Sequence, residues 1–255
     1  PDEVADILAK DPDITHVVAI HCETSSGILN PLKGIADAVH AAGRKLIIDS
    51  MSAFGAVPLS VKDIPFEAMV SSANKCIEGV PGFGFVLAKK TALEEAKGNC
   101  HSYSLDVHDQ WATMNKNGQW RFTPPTHTVV AFLEALIQHE EEGGVAGRGA
   151  RYANNKDVLV NGMREMGFET LLEDKWISPI ITTFFGPQDS NFEFSRFYEE
   201  IKSRGFIIYP GKLTEADSFR VGCIGQLDET VMRGVLTAID DACKAMGVTN
   251  RGRKQ

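Results

Sequence analysis

Residues 16–49 read HVVAIHCETSSGILNPLKGIADAVHAAGRKLIID, and this stretch decides the fold. The run HVVAI is apolar and β-branched, which is typical of a strand in a buried parallel sheet. Asn30 and Pro31 then predict a helix N-cap followed by proline at the first helical position, and Gly43 ends that helix. KLIID predicts a second strand that ends on Asp49. Strand, helix and strand together make a right-handed βαβ unit.

The next segments extend this unit into a larger sheet. AMVSSAN is a third apolar run and leads into Lys75. GFGFVLAKK predicts a further strand, which follows a glycine-rich turn. Strands that alternate with helices favour an α/β fold with a mainly parallel sheet.

The second half of the chain has a different pattern. Two long helices are predicted on either side of Gly143 and Gly144, and a final amphipathic helix is predicted with its N-cap at Asp228 or at a neighbouring residue. Between them ISPIITTFF, FIIYPG and FRVGCIG predict short strands, and FEFSRFYEEIKSRG predicts a helix. We therefore expect a large domain in residues 1–145 and a smaller α+β domain in residues 146–255.

Composition excludes some functions. The net charge of −8 and the pI of about 5.4 argue against a nucleic-acid surface, which needs clustered cations. No apolar run reaches the length of a membrane span, and the first residues show no signal-peptide pattern. The cysteines are odd in number and scattered, so we expect reduced thiols and a cytoplasmic protein. They are Cys22, Cys76, Cys100, Cys223 and Cys243.

Asp49 is a candidate ligand-binding residue. It stands at the carboxyl end of an apolar strand, where open α/β sheets place their ligands. A lone aspartate there is more often an N-cap or a turn residue. The alternative is a counter-ion for a cationic ligand atom such as a pyridinium nitrogen.

Lys75 distinguishes the two interpretations of Asp49. It follows small residues and precedes the glycine-rich turn GVPGFG, although a lysine at a strand end often simply reaches water. The small residues would let a flat ring approach. Desolvation there would favour a neutral, nucleophilic amine. Together with Asp49, Lys75 indicates a site for an aldehyde cofactor.

Four segments carry a specific resemblance. HCETSSG, LIIDSMSAFG, SSANKCIEGVPGFGFV and FRVGCIG resemble matching segments of class V, fold-type I aminotransferases, and the likeness covers essentially the whole chain. The resemblance implies a fold-type I large domain that is truncated at its N-terminus. The chain opens on PDEVADILAK without a methionine, and we expect the natural protein to extend further. The family's phosphate-gripping loop and its ring-stacking aromatic residue are expected in that extension.

The resemblance also implies a cofactor and roles for individual residues. The cofactor is pyridoxal 5′-phosphate, held as a Schiff base by Lys75 and at its ring nitrogen by Asp49. Further residues are expected around the cofactor. They are Thr24 near the ring oxygen, Ser52 along the ring, Asn74 near the phosphate, and Trp120 and Thr123, which reach the neighbouring subunit's cofactor phosphate in a homodimer. Glu23 and Ser26 are weaker candidates.

The small domain supplies the expected substrate-binding residue. Arg220 in FRVGCIG lies on a short predicted strand, where a surface ion pair is a real alternative. The resemblance implies that its guanidinium makes bidentate hydrogen bonds to the acidic group of the substrate. Such planar bidentate binding suits a carboxylate or a phosphonate.

The resemblance implies that the reaction is the transfer of an amino group from an aminophosphonate to pyruvate. Two alternatives stay open: an alanine– or serine–glyoxylate aminotransferase, and a non-catalytic fragment.

No metal site is expected, because the histidines lack partners at ligand spacing and His101 and His108 are interpreted as loop residues. Cys76, next to Lys75, is expected to be buried and structural.

Overall fold

The computed structural model describes residues 1–212 and 217–253. The strands are β1 (His16–Ile20), β2 (Cys22–Glu23), β3 (Ile28–Leu29), β4 (Lys45–Asp49), β5 (Ala68–Ser72), β6 (Gly84–Ala88), β7 (Ile181–Phe185), β8 (Tyr209–Pro210) and β9 (Ser218–Gly222).

The helices are α1 (Asp2–Lys10), α2 (Leu32–Ala41), α3 (Lys90–Glu95), α4 (Val107–Asn117), α5 (Thr126–Glu141), α6 (Gly144–Glu165), α7 (Phe194–Ser203) and α8 (Glu229–Met246). None of these helices combines the length and the apolar composition that a membrane crossing requires.

The chain forms two compact units. The first consists of Pro1–His21 and Pro31–Glu141. The second takes Cys22–Asn30 together with the described residues from Glu142 onward. The predicted domain boundary at residue 145 placed Cys22–Asn30, which contains the β2–β3 hairpin, in the first domain. In the structure this segment belongs to the second unit.

A four-stranded sheet organises the first unit, in the order β1-β4-β5-β6. β4 runs parallel to β1 and to β5, and β6 is antiparallel to β5. The predicted α/β fold with a mainly parallel sheet is confirmed. Asp49 lies opposite Ile20 on one side and Val70 on the other, so three strands deliver their carboxyl ends to one edge. That edge is where an open α/β sheet binds ligands.

Helices α1 and α2 cover one face of this sheet. The strands alternate, so that Leu46 and Ile48 are buried while Ile47 between them is only half-buried. Ala36 and Val39 of α2 pack into the same apolar cluster, together with Leu8, Ala19, Leu32 and Met69. The apolar side chains of the helix and of the strands in residues 16–49 therefore pack together on one face of the sheet, as the βαβ pattern predicts.

Some boundaries differ from the sequence prediction. The N-cap of α2 is Pro31 and not Asn30, and no side chain caps it. β5 ends at Ser72, so Lys75 lies in the following turn and not on the strand. FIIYPG forms a strand only at Tyr209–Pro210. Helices α3 and α4 were not predicted.

The second unit has its own sheet and core. Its strands are antiparallel in the order β7-β9-β8, and helices α6, α7 and α8 accompany them, which confirms the α+β prediction. Phe219 of β9 is at the centre, with ring centroids of Phe197, Phe184 and Phe168 at 5.3, 5.8 and 5.9 Å. Asp228 caps α8 as predicted, because its side chain accepts a hydrogen bond from the Val231 N–H.

We predict that Phe219→Ala destabilises the second unit by about 3–5 kcal/mol, because it leaves a cavity among three other aromatic rings. Ile207→Ala is the control, since Ile207 is 61% exposed and its loss should cost less than about 0.5 kcal/mol. Urea unfolding followed by circular dichroism measures both. Equal effects of the two substitutions would contradict this description of the core.

Candidate cofactor site

Asp49 is held rigidly at the end of β4. Its Oδ1 accepts a hydrogen bond of 2.9 Å from the Met51 N–H, and its carbonyl accepts one of 2.7 Å from the His21 N–H. The side chain is half-buried. One carboxylate oxygen therefore stabilises the turn, as the interpretation of Asp49 as a turn residue predicts. The other oxygen takes no part in that hydrogen bond and can accept one from a protonated ligand atom.

Lys75 lies in a tight loop after β5. The Glu78 N–H donates to the Lys75 carbonyl at 2.9 Å, and the Gly79 N–H donates to the Ala73 carbonyl at 2.8 Å. Glu78 has a φ of 61°, the only positive value for a non-glycine residue in the described chain. Such backbone is costly and concentrates at functional sites. The Lys75 side chain is exposed, so the expected desolvation of its amine is not provided by this unit.

Two contacts lock the Asp49 loop to the Lys75 loop. The Cys76 thiol donates to the Ser52 carbonyl at 3.1 Å. Gly55 has a φ of 99°, and a Cβ there would approach Ile77 Cδ1 to 2.5 Å. Cys76 is fully buried, as expected for a structural residue. The two predicted reactive groups thus stand on two loops that contact each other at these two points.

Ser72 offers an unused polar group on the same side of the sheet as Asp49. Asp49 lies opposite Val70 in the register, and Ser72 follows Val70 by two residues, so all three side chains share a face. The Ser72 hydroxyl is buried and has no hydrogen-bond partner among residues 1–212 and 217–253. A buried polar atom without a partner is costly, and a bound ligand would satisfy it. Sequence reasoning passed over Ser72.

His21 and Ser50 are further residues that sequence reasoning missed. Both are buried, and His21 Nδ1 shares a hydrogen bond of 3.0 Å with Ser50 Oγ. Burial lowers the pKa of His21 to about 4. The only sequence signal was their position, one residue after the ends of β1 and β4.

Thr24 lies in the β2–β3 hairpin of the second unit. Glu23 and Ser26 cap this turn by accepting from the N–H groups of Ser25 and Ile28 at 2.9 and 3.4 Å. The Thr24 carbonyl accepts a hydrogen bond of 2.6 Å from Arg220 Nη1.

Arg220 on β9 is buried and is not a surface ion-pair residue. Its Nε donates to the Pro210 carbonyl at 3.1 Å, and its guanidinium lies 5.7 Å from the Tyr209 ring centroid. Burial lowers the pKa of Arg220, while Tyr209 and Glu23 act in the opposite direction. No carboxylate of the described residues forms an ion pair with it. The Pro210 and Thr24 carbonyls thus accept hydrogen bonds from Nε and Nη1 and fix the plane of the guanidinium.

The remaining predicted site residues are exposed in the first unit. Asn74 lies beside Lys75, and Trp120 and Thr123 lie between α4 and α5. Trp120 is 39% exposed. Arg121 orders this segment by donating to the Tyr103 carbonyl at 2.9 Å. The expected roles of these three residues stay predictions.

One acidic cluster contains a histidine. Asp106, His108 and Asp109 lie close together at the start of α4, so the expectation that His108 is a loop residue is wrong. Asp106 accepts from the Asp109 N–H at 3.0 Å, and Arg121 pairs with Asp109 at 3.0 Å. We assign the cluster to helix capping and ion pairing.

The five cysteines are free thiols, as predicted. Burial raises the pKa of Cys223 to about 12 and that of Cys243 to about 11, so both stay protonated.

An α/β sheet with a carboxylate and a lysine on two adjacent loops at its carboxyl edge has the arrangement of a ligand-binding α/β fold. The chain belongs to the class-V aminotransferase family, whose model matches residues 1–191. It is 69% identical to the 2-aminoethylphosphonate–pyruvate transaminase of Rhizobium meliloti (strain 1021), over 96% of this chain and 64% of that protein. It is 66% identical to 2-aminoethylphosphonate–pyruvate transaminase 1 of Paraburkholderia xenovorans (strain LB400), over 96% of this chain and 63% of that protein.

Solved structures give the same fold. Pyridoxamine–pyruvate aminotransferase from Mesorhizobium loti matches with a TM-score of 0.89 and 25% identity, over 98% of this chain and 65% of that one. Alanine–glyoxylate aminotransferase from Nostoc sp. matches with a TM-score of 0.83 and 20% identity, over 94% of this chain and 64% of that one. The chain spans less than two thirds of the length of the relatives named here.

We predict that His21 makes stability fall in acid. Its pKa is about 4 when folded and about 6.5 when unfolded, so the unfolded state binds the proton more tightly. Stability is therefore complete above pH 6.5 and is lost as the pH falls towards 4, by at most roughly 3 kcal/mol. Urea unfolding of wild type and His21→Asn at several pH values measures the difference. Identical pH slopes would contradict the prediction.

Proposed function

We propose that this protein acts as a pyridoxal-phosphate-dependent transaminase that transfers the amino group of 2-aminoethylphosphonate to pyruvate. The products are phosphonoacetaldehyde and alanine. The observation that carries the proposal is the pair of interlocked loops holding Asp49 and Lys75 at the carboxyl edge of the sheet. The names of the similar proteins, at 69% and 66% identity, support the choice of substrates.

The residues present fit the cofactor. A carboxylate suits the protonated ring nitrogen, an exposed amine suits the aldehyde, and the partnerless Ser72 hydroxyl can donate to a ring or phosphate oxygen. Ser52, Asn74 and Thr24 remain candidates for further polar contacts with the ring and its phosphate.

Bound pyridoxal phosphate would supply a reactive aldehyde and a ring that accepts electrons. Asp49 would hold the proton on the ring nitrogen, and Lys75 would hold the aldehyde group. Once the substrate amine has taken its place, the Lys75 amine would be free to act as a base that moves a proton at the substrate carbon. An exposed lysine on a fixed loop is reachable by substrate and suits both tasks.

Arg220 is proposed to bind the acidic group of the substrate. Its Nε and Nη1 are already engaged by the carbonyls of Pro210 and Thr24, which fixes the plane of the guanidinium. Preorganised donors lose little entropy when an anion binds. A phosphonate or the carboxylate of the keto acid would use the same arginine in turn.

We expect initial rates with pyruvate as acceptor to be far higher for 2-aminoethylphosphonate than for serine or alanine. Lys75→Ala should lower the rate by about 10²- to 10⁴-fold, since it removes the base as well as the cofactor's attachment. Lys62→Ala is the matched control, because Lys62 is an exposed lysine of the same unit away from the Lys75 loop.

Faster turnover of serine or alanine with glyoxylate would favour the glyoxylate aminotransferase alternative and overturn the phosphonate proposal. A colourless protein that takes up no cofactor would favour the non-catalytic alternative. The free thiols are consistent with the proposed cytoplasmic location.

We also propose that the protein works as a homodimer, in which Trp120 and Thr123 contact the partner's cofactor phosphate. Support comes from apolar side chains that are exposed together around Arg121, whose guanidinium lies 4.5 Å from the Tyr103 ring and 5.2 Å from the Phe122 ring. Tyr103 and Leu105 are each 75% exposed. An ordered aromatic surface of this kind is typical of an interface.

Phe122→Glu should therefore shift the protein from dimer to monomer in sedimentation-velocity experiments, because it places a charge in an apolar contact. Ile7→Glu is the control, since Ile7 of α1 is equally apolar and 57% exposed. A wild-type monomer, or a dimer that survives Phe122→Glu unchanged, would contradict this assignment.

A further inference from the structure

A buried polar cluster lies directly behind Asp49. His21 and Ser50 directly follow strands β1 and β4, and Ser71 is the penultimate residue of β5. These three residues are 4%, 0% and 1% exposed. His21 Nδ1 and Ser50 Oγ share a hydrogen bond of 3.0 Å, and the Ser71 hydroxyl donates to the Ser50 carbonyl at 3.3 Å. Apolar side chains at these positions would avoid the cost of burying polar atoms. The polar cluster therefore calls for a reason other than core stability.

The backbone around Asp49 is bonded on both sides by the same strands. The His21 N–H donates to the Asp49 carbonyl at 2.7 Å, and the Ser50 N–H donates to the Val70 carbonyl at 2.9 Å. The side-chain bonds of His21 and Ser71 add two attachments at Ser50, the residue next to Asp49. Every polar group of Ser50 thus has a partner on β5 or on His21, the residue that follows β1. Rotation of the peptide units that aim the Asp49 side chain is correspondingly restricted.

We infer that His21 and Ser50 are positioning residues for Asp49, which they hold in the orientation that meets the cofactor's ring nitrogen. The inference rests on the proposed function, because it is the ring nitrogen that gives the orientation of Asp49 a consequence. His21 and Ser50 themselves touch neither cofactor nor substrate. Their effect passes through the backbone to one carboxylate.

The charge state of His21 suits this role. Because burial keeps its pKa near 4, the imidazole is neutral at pH 7. A positive imidazolium one residue beyond the strand partner of Asp49 would compete with the ring nitrogen for the carboxylate. A neutral ring gives a directional hydrogen bond to Ser50 without that competition.

The test uses apoenzyme and measures the dissociation constant for pyridoxal phosphate, together with kcat and KM of the reloaded enzyme. We expect Ser50→Ala and His21→Leu each to raise the dissociation constant by about tenfold, the order of one lost hydrogen bond. Both should lower kcat while the KM for the amino donor stays within about twofold of wild type, because Arg220 and not Asp49 binds the donor's acidic group.

Three comparisons separate positioning from a merely structural role. Val39→Ala removes a buried methyl pair from α2, outside the cluster, and should lower the melting temperature without changing cofactor affinity. His21→Asn, whose amide occupies roughly the place of Nδ1, should restore affinity to within about threefold of wild type. The double variant should bind no more than about twofold more weakly than the worse single variant, since both remove the same bond.

Cofactor affinities of Ser50→Ala and His21→Leu that equal that of Val39→Ala would overturn the inference. So would an equal loss in His21→Asn and His21→Leu. Either result leaves the proposed function intact, whereas a wild-type protein that binds no pyridoxal phosphate would remove the proposed function itself.

Discussion

The parallel pairing of β4 with both β1 and β5 is the constraint on which the candidate site depends. It brings three strand ends to one edge and sets Asp49 opposite Ile20 and Val70. Each later feature uses this edge: Ser72 shares the face of Asp49, and the loop of Lys75 starts where β5 ends. Hydrogen bonding along parallel strands fixes the register, so a slip of one residue would turn the Asp49 side chain to the helix-covered face.

Two loops leave this edge of the sheet. The contacts between them fix where Asp49 and Lys75 lie relative to each other. The bond from Cys76 to Ser52 and the close approach of Gly55 to Ile77 join them at two points. Neither contact involves a reactive group. Rigid support by residues that do no chemistry is what holds catalytic side chains in a productive geometry.

Hydrogen bonds also fix the surroundings of Arg220 in the second unit. Asn155 of α6 donates to the carbonyls of Cys223 and Leu227 at 3.2 and 2.9 Å, which ties down the loop after β9. Arg151 donates to Leu227 as well and, with Arg148, holds the pKa of Glu142 below its usual range. Arg220 is thus placed by backbone carbonyls on a strand whose exit is fixed.

The sequence predicted the features that depend on local pattern. The βαβ unit in residues 16–49, the helices flanking Gly143-Gly144 and the Asp228 cap are all found, because apolar period and cap chemistry are local. Features that depend on distant partners were not predicted. β5 stops at Ser72 because its partner β6 begins at Gly84, and the β2–β3 hairpin belongs to the second unit because Gly27 packs against Ile181.

The candidate site divides in the same way. Asp49 and Lys75 were visible in the sequence as charged residues in apolar surroundings, and Arg220 was visible through its motif. Ser72, His21 and Ser50 were not, since only the register shows which hydroxyl lacks a partner and which histidine is enclosed. The exposure of Trp120 likewise depends on packing and not on residue type.

The most direct measurement is borohydride reduction of the cofactor-loaded protein, followed by mass spectrometry of its peptides. We expect one reduced pyridoxyl group, fixed to the peptide that contains Lys75. A pyridoxyl group on another lysine, such as Lys89 or Lys90, with Lys75 unmodified, would contradict the assignment of the interlocked loops as the cofactor site.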